Sequence, residues 1–210
     1  MVQYLDVSAN PITNKEIEQL NALSILWGLD LSGTKVTSIY GIRNMKLNYL
    51  SLYGCKMGDC DGLEKMNTLE NLILTGVNNA ITERAIDKVV LLSNLKILKI
   101  FDSSNFNMKK LSNLKSLELL DLCGMWEQAN FKEMNLPGLN QIYISNFKDL
   151  DLSGLEMYPK LTEIFIPNSN CSDYSPLLKI TNLKKVYCNQ EQSIAILEQL
   201  GNIPFELIIS

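Results

Sequence analysis

Residues 172–188 read SDYSPLLKITNLKKVYC. Taken alone, the stretch is a short amphipathic segment running into a strand. Its last six residues, LKKVYC from Leu183, follow the pattern Leu-x-x-Leu-x-Leu with Val and Cys standing in for leucine. The same pattern starts at Leu26 (LWGLDL), Leu47 (LNYLSL), Leu69 (LENLIL), Leu95 (LKILKI), Leu117 (LELLDL), Leu139 (LNQIYI) and Leu161 (LTEIFI). A diverged copy opens at Val2 (VQYLDV), and a truncated copy begins at Phe205. From Leu26 onward the steps between starts are 21, 22 and 26 residues, then five of 22. A fixed period of this size is the mark of a stacked-repeat architecture.

The period has a physical reading. The second and third apolar positions alternate along a strand, so both side chains enter one core. The first feeds the same core from just before the strand. The chain then turns through small and polar residues, as in SANPI, SGTKV, YGCKM and TGVNN. One or two further apolar residues follow (VTSIYGI, YSPLLKI) and lead the chain back. No single repeat can bury its own apolar face, so neighbours must stack. The spacing therefore predicts an α/β solenoid over residues 1–210, one domain of about nine repeats. A parallel β-sheet would line its concave face, with irregular turns and short helices on the convex face.

The pattern resembles the leucine-rich repeat family over essentially residues 2 to 210. The 22-residue step, with YSPLLKITNLKKV and SGTKVTSIYGIRNM, is most similar to the internalin and phosphatase-regulator subclass. LTEIFIPNSN is similar to bacterial surface-antigen repeats, although the rest of that motif is missing. The resemblance implies a curved solenoid and a scaffold for recognition, which does not by itself choose a partner. The family places Asn after the third apolar position, where its side chain bonds the backbone of adjacent turns. Asn10 keeps that residue. The matching positions hold Thr34, Cys55, Val77, Ser103, Met125, Phe147, Ser169 and Glu191. Thr, Cys and Ser can substitute in part; Val, Met and Phe cannot, which implies an irregular array. Internalins also carry a helical cap before the repeats and further domains after them, and neither pattern is visible here. The chain then reads as a fragment, as self-capped by irregular end repeats, or as associating end to end.

The 26-residue step contains GVNNAITERAIDKVVLLSN. Ile81, Ala85, Ile86, Val89 and Val90 recur at helical spacing, and Thr82 is placed to cap a helix starting near Glu83. This predicts a convex-side helical insertion over 82–92, in the repeat that starts at Leu69. Residues 190–201 (QEQSIAILEQLG) also read as helix, with Ile194, Leu197 and Leu200 inward and Gly201 as the stop.

Composition narrows the chemistry. The net charge is −4 with no clustered Lys and Arg, which argues against nucleic acid as a partner. No apolar run approaches the roughly 18 residues of a membrane span, so no membrane insertion is expected. The start MVQYLDVSANPI lacks a signal peptide's basic and apolar regions. As written, the chain reads as cytoplasmic, with a secreted or surface location if a signal has been removed. Five cysteines, an odd number irregularly spaced, fit reduced thiols. There is no histidine, which removes the commonest general base and metal ligand. Cys55 and Cys60 lack a second pair at zinc spacing, and no glycine-rich phosphate loop occurs. Asp6, Asp30 and Asp121 share one outward strand position and are read as solvated carboxylates rather than a cation site. The expectation is no catalysis, no cofactor and no metal.

What remains is the surface. The central outward column reads Asp6, Asp30, Ser51, Ile73, Lys99, Asp121, Tyr143, Phe165, Tyr187. Tyr143, Phe165 and Tyr187 fall on consecutive rungs and predict an aromatic ladder. Ile73, Ile97, Phe101 and Leu119 predict an apolar patch beside it. None is needed for the core, and aromatic clusters of this kind supply large contact area at low entropy cost. The leading expectation is a non-catalytic module, bacterial in style, that binds a protein or peptide on this face. The alternatives are an internalin-type adhesion protein, a self-associating structural solenoid, and, more weakly, stacking of the ladder on sugar rings.

Overall fold

The leucine pattern becomes one parallel sheet whose strand order is the order of the chain. The computed structural model describes residues 2–43, 46–75, 81–101, 106–124 and 129–210. Its strands are β1 (Tyr4–Asp6), β2 (Gly28–Asp30), β3 (Tyr49–Leu52), β4 (Asn71–Thr75) and β5 (Ile97–Phe101). They continue as β6 (Leu119–Asp121), β7 (Gln141–Tyr143), β8 (Glu163–Phe165), β9 (Lys185–Cys188) and β10 (Glu206–Ile209). The register aligns the repeats column by column. Leu29, Leu50, Leu72, Leu98, Leu120, Ile142, Ile164 and Val186 form one line, and every one is fully buried. The first and third apolar positions from Leu26 to Cys188 are buried too, so the motif is a core and nothing else.

The last rung departs from the expected spacing. Strand β10 pairs Leu207 with Val186 and Ile208 with Tyr187. The closing repeat is therefore one residue shorter than a start at Phe205 implies. A regular helix replaces the irregular return there and uses a different length of chain.

The return side carries short 3₁₀ turns, at Leu63–Lys65, Met108–Asn113, Phe131–Glu133, Leu155–Met157 and Ser175–Lys179 among others. Among the described residues it also carries three α-helices: α1 (Asn14–Ile17), α2 (Glu83–Val89) and α3 (Gln190–Leu200). In α2 the Thr82 hydroxyl accepts the Ala85 N–H, and Ala85, Ile86 and Val89 are buried. The helix stops at Val89, short of residue 92, where the Leu91 and Leu92 N–H groups turn to Lys88 O and Val89 O in i→i−3 bonds.

Helix α3 corrects an expectation about its face. Ile194 and Leu197 are 49% and 48% exposed, whereas Gln192, Ser193 and Ile196 are buried. Unpaired carbonyl groups rotate the helix in this way. The Gln192 amide donates to Ile166 O at 2.7 Å and Ser169 O at 2.8 Å, while its own oxygen accepts the Asn189 N–H. Two buried carbonyls left without a donor would cost about 2–4 kcal/mol together, against roughly 1.5–3 kcal/mol gained by burying an isoleucine.

The same need explains how the array manages without an asparagine ladder. The Cys55 thiol donates to Leu31 O of the preceding rung at 2.9 Å, beside the Thr34 hydroxyl, which donates to the same oxygen at 2.7 Å. Phe147 offers no donor, and Ser169 of the next rung covers for it. The Ser169 hydroxyl donates to Ile144 O and accepts the Phe147 N–H. Gln192 does this work where Glu191 was the matching position. Val77, Ser103 and Met125 lie outside the described residues. Among the described residues, no helix is long and apolar enough to cross a membrane.

Candidate functional site: the open face of the sheet

Strand alternation buries one side of every rung and leaves the other on the open face. The register sets the central column of that face as Asp6, Asp30, Ser51, Ile73, Lys99, Asp121, Tyr143, Phe165, Tyr187 and Ile208. All seven residues singled out from the sequence lie on this face, and all are half-buried.

Tyr143, Phe165 and Tyr187 stack. Their ring centroids are 3.7 and 3.9 Å apart, and the planes are tilted by only 7° and 6°. Parallel strands in register bring equivalent side chains to about 4.8 Å, and the rings lean together to close the gap. Both faces of Phe165 are thereby covered. At one end, the Lys99 ammonium lies 5.9 Å from the Tyr143 centroid and 3.8 Å from the buried carboxylate of Asp121. At the other end, Ile208 is Tyr187's partner in the register. The ladder therefore offers a row of ring edges to solvent. Glu163 runs beside it, accepting from Tyr187 Oη and Gln141 Nε2, each at 3.5 Å. The Tyr143 phenol is held above the ordinary tyrosine range, first by burial and then by the negative charge of Asp121 and Glu163.

The four aliphatic and aromatic patch residues are arranged differently. Ile97 and Leu119 are neighbours across β5 and β6. Phe101 is on β5 with Ile97, but Lys99 stands between them in the outward series. Phe101 instead meets Tyr53 edge to face, with centroids 5.4 Å apart and planes at 85°. Ile73 pairs in register with Lys99. The patch is thus two strips flanking a lysine.

A second aromatic group occupies the β1–β3 end, and the sequence reading passed over it. The Tyr4 ring lies 5.7 Å from Trp27 and 5.8 Å from Tyr49. Gly28 makes this possible, because a Cβ there would come within 2.5 Å of Tyr4 Cδ2. A glycine between two tyrosines in one outward column was the available signal. The Tyr49 phenol is also pushed up, by burial and then by Asp30.

The nucleophiles are quiet. Burial pushes the thiols of Cys60 up to about 12 and of Cys123 and Cys171 up to about 11, well away from thiolate chemistry. Asp6, Asp30 and Asp121 each use one carboxylate oxygen to accept the backbone N–H two residues on. Among the described residues, no three side chains of metal-ligating type converge.

No family model matches the chain, and no curated protein does. Solved structures do match. Internalin C2 from Listeria monocytogenes aligns with a TM-score of 0.69 at 23% identity, covering 90% of this chain and 81% of that one. The TLR13 chain of a TLR13–ssRNA13 complex aligns at 0.66 and 19% identity, over 89% of this chain and 32% of its own. Human 5T4 (Wnt-activated inhibitory factor 1, trophoblast glycoprotein) aligns at 0.63 and 19%, over 81% and 70%. This chain has the leucine-rich-repeat fold. At such identities the likeness is one of architecture. The leucine-rich-repeat solenoid seen here shares its stacked strands with these proteins.

Proposed function

We propose that residues 1–210 act as one recognition unit, a non-catalytic module whose open face binds a protein or peptide partner. The ladder of Tyr143, Phe165 and Tyr187 carries this reading. Three rings are held in register, half-exposed, at positions the core does not use. Rigid aromatic surface of this kind dominates binding energy at protein interfaces. Charge favours a protein over a nucleic acid. Strand residues on the open face include Asp6, Asp30, Asp121, Glu163 and Glu206 against Lys99 and Lys185, a balance that repels phosphate. The high thiol values and the absence of histidine fit a surface built to hold rather than to react.

The test is a capture experiment with three baits. Wild type is compared with Phe165→Glu/Tyr187→Glu and with a return-side control, Lys109→Glu. A partner held by wild type and the control is then purified and titrated. The ladder variant should bind it at least tenfold more weakly, with an unchanged circular dichroism spectrum. Equal affinity for all three proteins would remove the ladder from the interface.

A further inference from the structure

We propose that the aromatic group at the β1–β3 end is a docking site for an arginine side chain of a protein partner. This goes beyond the ladder reading and stands on other residues. Tyr4 and Trp27 are 43% and 44% exposed, and Gly28 leaves the floor on which the Tyr4 ring rests between Trp27 and Tyr49. The rings are tilted by 46° and 49°, so they form a broken surface rather than a closed stack.

Charge identifies what this surface fits. Asp6 and Asp30 are adjacent in register, two residues along β1 and β2 from Tyr4 and Gly28. That separation is about 6.6 Å along a strand, within the span of one arginine. In each carboxylate Oδ1 accepts a backbone N–H at 2.8 Å, from Ser8 or Ser32. Neither forms an ion pair among the described residues, and β1, β2 and β3 carry no lysine or arginine. The contrast is Asp121 at the centre of the face, which has Lys99 beside it. Two like charges on neighbouring rungs, next to exposed ring faces, lack a cation. A purely apolar ligand would cover them unpaired, at a large desolvation cost. A guanidinium answers both features: its plane stacks on aromatic rings, and its fork of N–H donors meets carboxylate oxygens.

The test uses the whole chain and the pentapeptide acetyl-Gly-Gly-Arg-Gly-Gly-amide, read by the NMR shift of the Trp27 indole N–H. The peptide should shift that signal saturably. Its citrulline counterpart, which keeps the shape and loses the charge, should bind at least tenfold more weakly, and the lysine counterpart at least threefold. Asp6→Asn/Asp30→Asn keeps Oδ1 for the backbone caps, so it should fold as wild type and lose at least tenfold. Phe165→Glu/Tyr187→Glu should bind the peptide unchanged, which separates this site from the ladder. Equal binding of the citrulline peptide, undiminished binding by the double asparagine variant, or no saturable shift would overturn the site. Equal binding of the lysine peptide would overturn the assignment to arginine.

Discussion

One backbone position shows how narrowly the turn constrains the residue that fills it. Two residues past the third core position the chain takes a positive φ: 65° at Gly33, 69° at Gly54, 63° at Asn146 and 60° at Asn168. Gly and Asn are the residues that tolerate this conformation. The first repeat puts Ala9 there, at φ 55°. Ala9→Gly should therefore raise stability, by about 0.5–1 kcal/mol once the added freedom of the unfolded chain is set against the relieved strain. A higher denaturant midpoint with an unchanged slope is the expected result, and a lower one would show that the local strain is negligible. Gln192 makes the opposite case. Gln192→Ala leaves the Ile166 and Ser169 carbonyls without their donor, and should cost about 2–4 kcal/mol. A loss below 1 kcal/mol in the same titration would mean that water enters and takes over both bonds.

Helix α2 is held to its neighbours by charge as well as by its buried face. Arg84 pairs with Asp59, Lys88 with Asp61, and Lys110 reaches Glu83 and Asp87, each at 2.6 Å. The Lys110 hydrogen bond, and then the Asn107 N–H, hold the Glu83 carboxyl below the usual glutamate range. A lowered folded value stabilises above the unfolded one, near pH 4.3, and that contribution is lost as pH falls through the folded value. Glu83→Gln should melt slightly lower at pH 7 and show a shallower loss between about pH 5 and 2. Identical pH profiles for variant and wild type would mean that the pair contributes nothing, as many exposed pairs do. The two longer helices also show what sequence could and could not reveal. The inward face of α2 was legible because Ala85, Ile86 and Val89 are both apolar and buried. In α3 the apolar spacing of Ile194 and Leu197 misleads. The helix is oriented by a demand for an amide donor that belongs to the turn after β8, at Ile166 and Ser169, 26 and 23 residues earlier, and no local pattern encodes it.

At the scale of the molecule, the strands and their register were legible because one residue pattern fixes both. The outward columns follow from simple alternation once the repeat starts are known, so the ladder could be read from the sequence. Its closeness could not, since centroid spacings of 3.7 and 3.9 Å depend on how far the rings lean from a strand spacing of about 4.8 Å, and alternation does not set that lean. The Tyr4–Trp27–Tyr49 group was missed because Trp27 precedes its strand and belongs to no column. The open face thus has two aromatic regions, one ending at a lysine and one beside carboxylates that form no ion pair among the described residues. The chain-ordered sheet has a mechanical consequence too. Among the described residues, every strand is bonded only to the strands before and after it in the chain. A load applied at the two termini is therefore borne by one rung at a time, as in a zipper, and never shared across the sheet. Each rung that parts releases a repeat of slack, on the order of 70 Å, so the protein would yield to tension gently and in steps, from its edges inward.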